Sequence, residues 1–231
     1  MLFRSAVQLN LTSAITVSQG QMAWNPQDLT VDVGMANGVT LQLGQEQYIK
    51  VKASAAITDG QAVMFTGANG EHILAAPNDM SVAGYRSEWF IGVATQDIAL
   101  NGFGYITTFG KVHNVNTLAF AEGNILYADP LVVGGLTNTE PEAPNKNITV
   151  AAVTKRAGGD GHIMVRPQTV PSLDNLNDVY IGTTPGNGNL LTYVTANTRW
   201  EDVSRTVITE PAFAKANAAF LQANKIGRAH V

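Results

Sequence analysis

His72, His113 and His162 are the side chains of this sequence best suited to metal binding or proton transfer. None belongs to an H-x-H or H-E-x-x-H pattern, and none has carboxylates at ligand spacing. Their surroundings favour polar residues at strand ends. Asp174, Asn175, Asn177 and Asp178 offer the oxygen ligands that calcium takes. They lack the Asp/Asn/Gly spacing and terminal Glu of an EF-hand loop. Such residues commonly cap turns through their own backbone. Gly110-Lys111 is followed by Val112, so it does not complete a G-x-x-x-x-G-K-[ST] phosphate loop. No G-x-S-x-G nucleophile elbow is present. Glu140 and Glu142 flank Pro141. Glycoside hydrolysis needs two carboxylates set across a sugar, whereas this pair reads as part of a solvated loop. Trp24, Tyr85, Trp89, Phe103 and Tyr105 could stack on sugars, but aromatics at strand spacing more often serve a core or a subunit interface. The expectation is a chain with no catalytic residue, no cofactor and no metal.

What must position these residues is a β-rich frame. The 231 residues suffice for one large domain or two small ones, and 45% are apolar. Only 14% are charged, with a net charge of −4, which argues against a general nucleic-acid surface. Without cysteine, disulfides and thiolate zinc sites are excluded. No apolar run approaches the roughly 18 residues of a membrane span. "TVDV" (Thr30–Val33), "VTLQL" (Val39–Leu43) and "YIKVKA" (Tyr48–Ala53) alternate apolar with polar, as half-buried strands do. "FIGVAT", "GYITTFGKV", "NITVAAV" and "HIMVR" continue the series to Arg166. Asn37-Gly38, Asn69-Gly70 and Asn101-Gly102 are turn dipeptides that tolerate positive φ. Residues 21–168 are therefore expected to form a compact antiparallel β sandwich or barrel.

Pro167 and Pro171 are expected to end that block. Residues 169–207 read as a small β connector, with a strand near Val179–Ile181, a Pro-Gly-Asn-Gly loop and "LLTYV". Thr209 offers an N-cap and Pro211 a first helical position, so a C-terminal α-helix is expected over 208–225. In "AFAKANAAFLQAN" Phe213 and Phe220 recur at seven residues, as do Ala216 and Ala223. That is an a/d seam, the start of a coiled stalk whose interface is Phe213, Ala216, Phe220 and Ala223.

The two ends fit neither pattern. Lys225–Val231 back-translates to AAG ATC GGA AGA GCA CAC GTC, and Leu2–Ser5 to CTC TTC CGA TCT. The second string is the reverse complement of AGATCGGAAGAG, which lies within the first. Met1–Ser5 and Ile226–Val231 are therefore expected to be translated sequencing adapter. Residues 1–20 are grouped as adapter plus an N-terminal segment, and 226–231 as an adapter tail. The chain is expected to be a metagenomic fragment of a longer product.

Three stretches carry a family resemblance. "QMAWNPQDLTVDVGMANGVTLQLGQEQYIKV", "GYITTFGKVHNVNTLAFAEGNILYADP" and "GGLTNTEPEAPNKNITVAAV" resemble an N-proximal β region of tail-fibre-like structural proteins of tailed bacteriophages and prophages. "LDNLNDVYIG…GNLLTYVTANTRWEDV" is similar to a connector module of such fibres, and "AFAKANAAFLQAN" to their A-F-x-x-A-N coiled repeats. The resemblance implies a non-enzymatic virion component made in the host cytoplasm. It also implies a homotrimer that binds other phage tail or virion proteins. Distal domains beyond the chain would contact host surface glycans; no nucleic acid and no membrane span are implied. A threefold axis would be needed to bring copies of His113 to one metal. The alternatives are a capsid decoration or head-fibre protein, the scaffold part of a depolymerase tailspike, and a bacterial surface adhesin.

Overall fold

The computed structural model describes residues 9, 16–182, 186–204 and 214–222. The adapter-like ends, Thr209, Pro211, Phe213 and Ala223 lie outside the described residues. The chain forms two compact units, Met1–Val170 and Pro171–Val231.

The first unit opens with an antiparallel sheet of β1 (Met22–Asn25), β2 (Thr30–Gly34) and β3 (Thr40–Gln42). Asn37 and Gly38 turn the chain between β2 and β3 with φ of +60° and +76°, conformations these residues tolerate best. Five strands then close a barrel: β4 (Gln47–Ala53), β5 (Ala62–Asn69), β6 (His72–Pro77), β7 (Phe90–Ala94) and β8 (Phe103–Val115). Their order is β8-β4-β6-β5-β7, and Val93 and Ala94 of β7 return to Thr107 and Ile106 of β8. The mainly β expectation holds, and of its two forms the barrel is realised. Four of the five barrel pairings are antiparallel. The exception is β4 with β6, where Val51–Ala53 runs parallel to Ile73–Ala75. Alternation specifies which face a side chain takes, not the direction of the neighbouring strand.

The length of β8 lets it serve two structures. Its first part pairs with β4 and β7, and its last part with β12 (Gly161–Thr169). The sheet continues through β11 (Ile148–Lys155) and β9 (Ile125–Ala128) to β10 (Leu136–Thr137). Gly110 sits at the changeover with φ of +113°, and a Cβ there would lie 2.6 Å from the Gln45 carbonyl oxygen. Glycine alone permits that approach, which carries the Gln45–Glu46 backbone against β8. Pro167 lies inside β12 at a register shift opposite Thr149–Ala151, and the ladder resumes with Gln168 and Thr169. The β block therefore continues through this proline, which is accommodated at a bulge.

Two core clusters hold this unit. Val51, Ala53, Val63, Ala75, Ala94 and Ile106 form one with Ile57 and Ile98. The other joins Val112, Leu126, Ile148, Val150, Ile163 and Val165, with Tyr85 at its margin. Each fully buried aliphatic side chain stabilises the fold by about 1.5–3 kcal/mol.

The second unit contains β13 (Val179–Tyr180), β14 (Leu190–Val194) and β15 (Arg199–Val203) in the order β13-β15-β14. Asp202 braces its loop, accepting from Gly182 N–H at 2.7 Å and from the Asn189 amide at 3.0 Å. The helix α1 covers residues 214–222. Among the described residues of this unit none is buried.

Candidate functional site

A polar cleft of about 500 Å³ lies between the β1–β3 sheet and the face of β8 and β12. Both walls belong to the first unit. Strand alternation places Lys111 and His113 on one face of β8, and His162 of β12 joins them there. The His113 and His162 rings meet edge to face, with centroids 4.6 Å apart. The facing sheet supplies Asn25, Asp28, Asp32 and Gln42. Glu46 and Tyr48, from the β3–β4 turn and β4, stand behind them.

Asp28 is the best-connected carboxylate. It accepts from the Gln42 amide at 2.7 Å and from the Lys111 ammonium at 3.0 Å. The Gln42 hydrogen bond first, then Lys111, hold its carboxyl below the usual carboxylate range. Asp32 receives only the Asn25 amide, at 3.2 and 3.3 Å. Burial, with the charges of Asp28 and Glu46, raises its carboxyl above the usual value. The Glu46 side chain is fully buried. Its Oε2 accepts from Gln42 N–H at 2.7 Å and from the Tyr48 hydroxyl at 2.8 Å. Its Oε1 has no hydrogen-bond donor and lies 3.7 Å from His113 Nε2. Burial and the charge of Glu46 push the Tyr48 phenol well above its ordinary value. Burial, then His113, hold His162 below the usual imidazole value, although Asp160 Oδ1 stands 3.5 Å from its Nε2.

Sequence reasoning singled out His113 and His162 separately and the structure brings them together; His72 instead packs edge to face on Phe103 at 4.8 Å. Among the described residues no group of three His, Asp or Glu side chains is arranged to hold a metal ion. Glu140 and Glu142 are exposed, and Glu140 accepts from Asn147 at 2.8 Å. Tyr85 and Trp89 pack edge to face at 5.9 Å against the second core cluster, while Lys50 lies 5.0 Å over the Phe103 ring. Phe103 and Tyr105 share one face of β8, whereas Tyr85 and Trp89 belong to the second core cluster, so the five aromatics are divided between separate places. The Asp178 carbonyl accepts from Trp200 N–H at 2.8 Å, a rung at the start of the parallel β13–β15 ladder.

No protein-family description and no curated protein matches this chain. A solved structure similar to it is the N base of the head fibre gp8.5 of bacteriophage phi29. That likeness has a TM-score of 0.35 and 8% identity, and covers 55% of this chain and 100% of that one. A TM-score so low carries no argument about function.

Of the expected seam, Ala216 and Phe220 lie on α1 one turn apart and both are exposed. The acidic wall of the cleft was missed by sequence reasoning. Asp28, Asp32 and Glu46 are isolated in sequence from Lys111, His113 and His162, and no spacing rule links them. Gly110 was the one available signal, because a glycine inside a strand marks a bulge or a close backbone approach.

Proposed function

We propose that this chain is a non-enzymatic structural segment of a bacteriophage virion, part of a tail fibre or fibre adaptor that assembles as a homotrimer. The observation that carries the assembly is the state of the second unit. Leu191, Tyr193 and Trp200, which the register places on one face of its sheet, leave 42%, 48% and 40% of their surface exposed, and Phe220 on α1 leaves 66%. A three-stranded sheet needs an apolar face packed against something to be stable. Nothing among the described residues of this unit is buried, so copies of the same unit are the natural cover. The a/d spacing of Phe213, Ala216, Phe220 and Ala223 supports the same conclusion. The phage assignment and the number three rest on the resemblance of the connector and A-F-x-x-A-N repeats to fibre modules.

The test is sedimentation of the chain extended by several further heptads. A trimer is expected, and Trp200→Ser with Phe220→Ser is expected to shift it to monomer. A monomer at micromolar concentration overturns the assembly. The complete reading frame and its neighbours test placement: tail and baseplate genes support the fibre, and major capsid genes support a head decoration instead.

A further inference from the structure

The cleft between the β1–β3 sheet and the β8/β12 face has more acceptors than donors. Gln42 lines it with only 5% of its surface exposed. Its amide nitrogen is committed to Asp28 at 2.7 Å, which fixes the orientation of the group. Gln42 Oε1 is then buried without a donor. Glu46 Oε1, fully buried behind His113, is in the same state, since 3.7 Å is too long for a hydrogen bond. Asp32 holds two carboxylate oxygens against one amide donor. Buried acceptors without donors are costly, and each needs a partner.

Charge runs the same way. Asp28, Asp32 and Asp160 line this space with Lys111, His113 and His162, and the buried Glu46 stands behind His113. The Lys111 ammonium is engaged with Asp28, and the Asp160 carboxylate with Lys155 and His162. Asp32 is left without a cation of its own, and Glu46 has only the His113 ring at 3.7 Å.

We propose that this cleft is a binding site for a guanidinium group, seated by Gln42 Oε1 and Asp32 with the buried charge of Glu46 behind His113. A guanidinium carries five donors, no acceptor and a fixed positive charge. It therefore fills missing donors without adding an acceptor. A sugar hydroxyl brings an acceptor with each donor and no charge. A metal ion lacks a suitable ligand group among the described residues. The volume of about 500 Å³ leaves room for the group and a short chain behind it.

The experiment is a titration of the whole protein followed by two-dimensional NMR of the Gln42 amide and the His113 and His162 rings. The probes are agmatine, N-acetylarginine amide, 1,4-butanediol and glucose. Saturable shifts are expected from the guanidinium probes, with Kd on the order of 1 mM or tighter. Butanediol and glucose should leave the same signals unmoved. Asp32→Asn should weaken the guanidinium probes by about tenfold or more. Asp32 is only partly buried, so this variant tests the site without removing the buried Glu46. Tighter binding of agmatine points to a small free ligand, and tighter binding of N-acetylarginine amide to an arginine of a partner protein. Absent saturation, equal shifts from butanediol or glucose, or undiminished binding by Asp32→Asn would each overturn the proposal.

Discussion

Tyr48 and Glu46 meet at 2.8 Å, phenol hydroxyl to Oε2, and the same hydroxyl lies 2.8 Å from the Thr40 carbonyl. One hydroxyl hydrogen serves two acceptors on opposite sides of the β3–β4 turn. The contact fastens the end of the first sheet to the barrel and holds the fully buried Glu46 carboxylate in place behind the cleft wall. Tyr48→Phe removes the shared donor and leaves both acceptors short. A loss of about 1–3 kcal/mol is expected, read from urea unfolding followed by tryptophan fluorescence. A loss within error would show that the turn is held by its backbone alone.

Asp28 ties the same sheet to β8 through Lys111 at 3.0 Å, with both side chains mostly shielded. Its carboxyl is held below 3.8 in the fold, so this group contributes stability that is present above that value. The contribution is lost as pH falls through the depressed folded value. Asp28→Asn should cost about 0.5–2 kcal/mol at neutral pH. The gap between variant and parent should close as the solution becomes acidic enough to protonate Asp28. A gap that persists unchanged in acid would refute the linkage.

Asp59 has the opposite sign. Burial first, then the neighbouring charge of Asp97, push its carboxyl up to about 6. Between 3.8 and about 6 the folded chain holds a proton that the unfolded chain has released. This group therefore stabilises the fold as pH drops through that window and costs stability above it. Asp59→Asn is expected to raise stability at neutral pH by on the order of 1 kcal/mol and to flatten the change between neutral and mildly acidic solution. Thermal melts across that range decide it; a parent that gains nothing on acidification sinks the assignment.

The passage between the two units should be the first point of proteolysis. Gln168 and Thr169 are held in the β11–β12 ladder, and Val170 N–H still bonds the Asn147 carbonyl at 3.1 Å. Cleavage by a nonspecific protease is expected from Pro171 to Asp178, before any cut within β4–β8. Early cuts inside those barrel strands would show that the first unit is not the stable one.

In the second core cluster Leu126 is fully buried. Leu126→Ala should lower stability by about 2–5 kcal/mol, through lost transfer energy and the cavity left behind. Calorimetry reads this directly, and a loss under about 1 kcal/mol would mean that the site collapses around the smaller side chain.

Alternation in "YIKVKA" sufficed to place Val51 and Ala53 inside and Lys50 and Lys52 outside, because a strand's side chains change face at every residue. Asn37-Gly38 likewise marked its turn, since the backbone there needs positive φ and few residue pairs accept it. The mainly β class and the turn positions were local properties, legible in the sequence alone. Pro167 misled because its missing N–H normally interrupts a ladder, whereas here a register shift opposite Thr149 absorbs it. Barrel closure was decided only by the tertiary structure, through Val93 meeting Thr107 and Gly92 lying where a Cβ would stand 2.1 Å from the Thr107 carbonyl oxygen. The parallel run of β4 beside β6 was decided there too. So was the cleft: Asp28 and Lys111 are 83 residues apart, and no local periodicity constrains a pair at that separation. Their encounter depends on the summed packing of strands between them, a global balance that nearest-neighbour preferences do not contain.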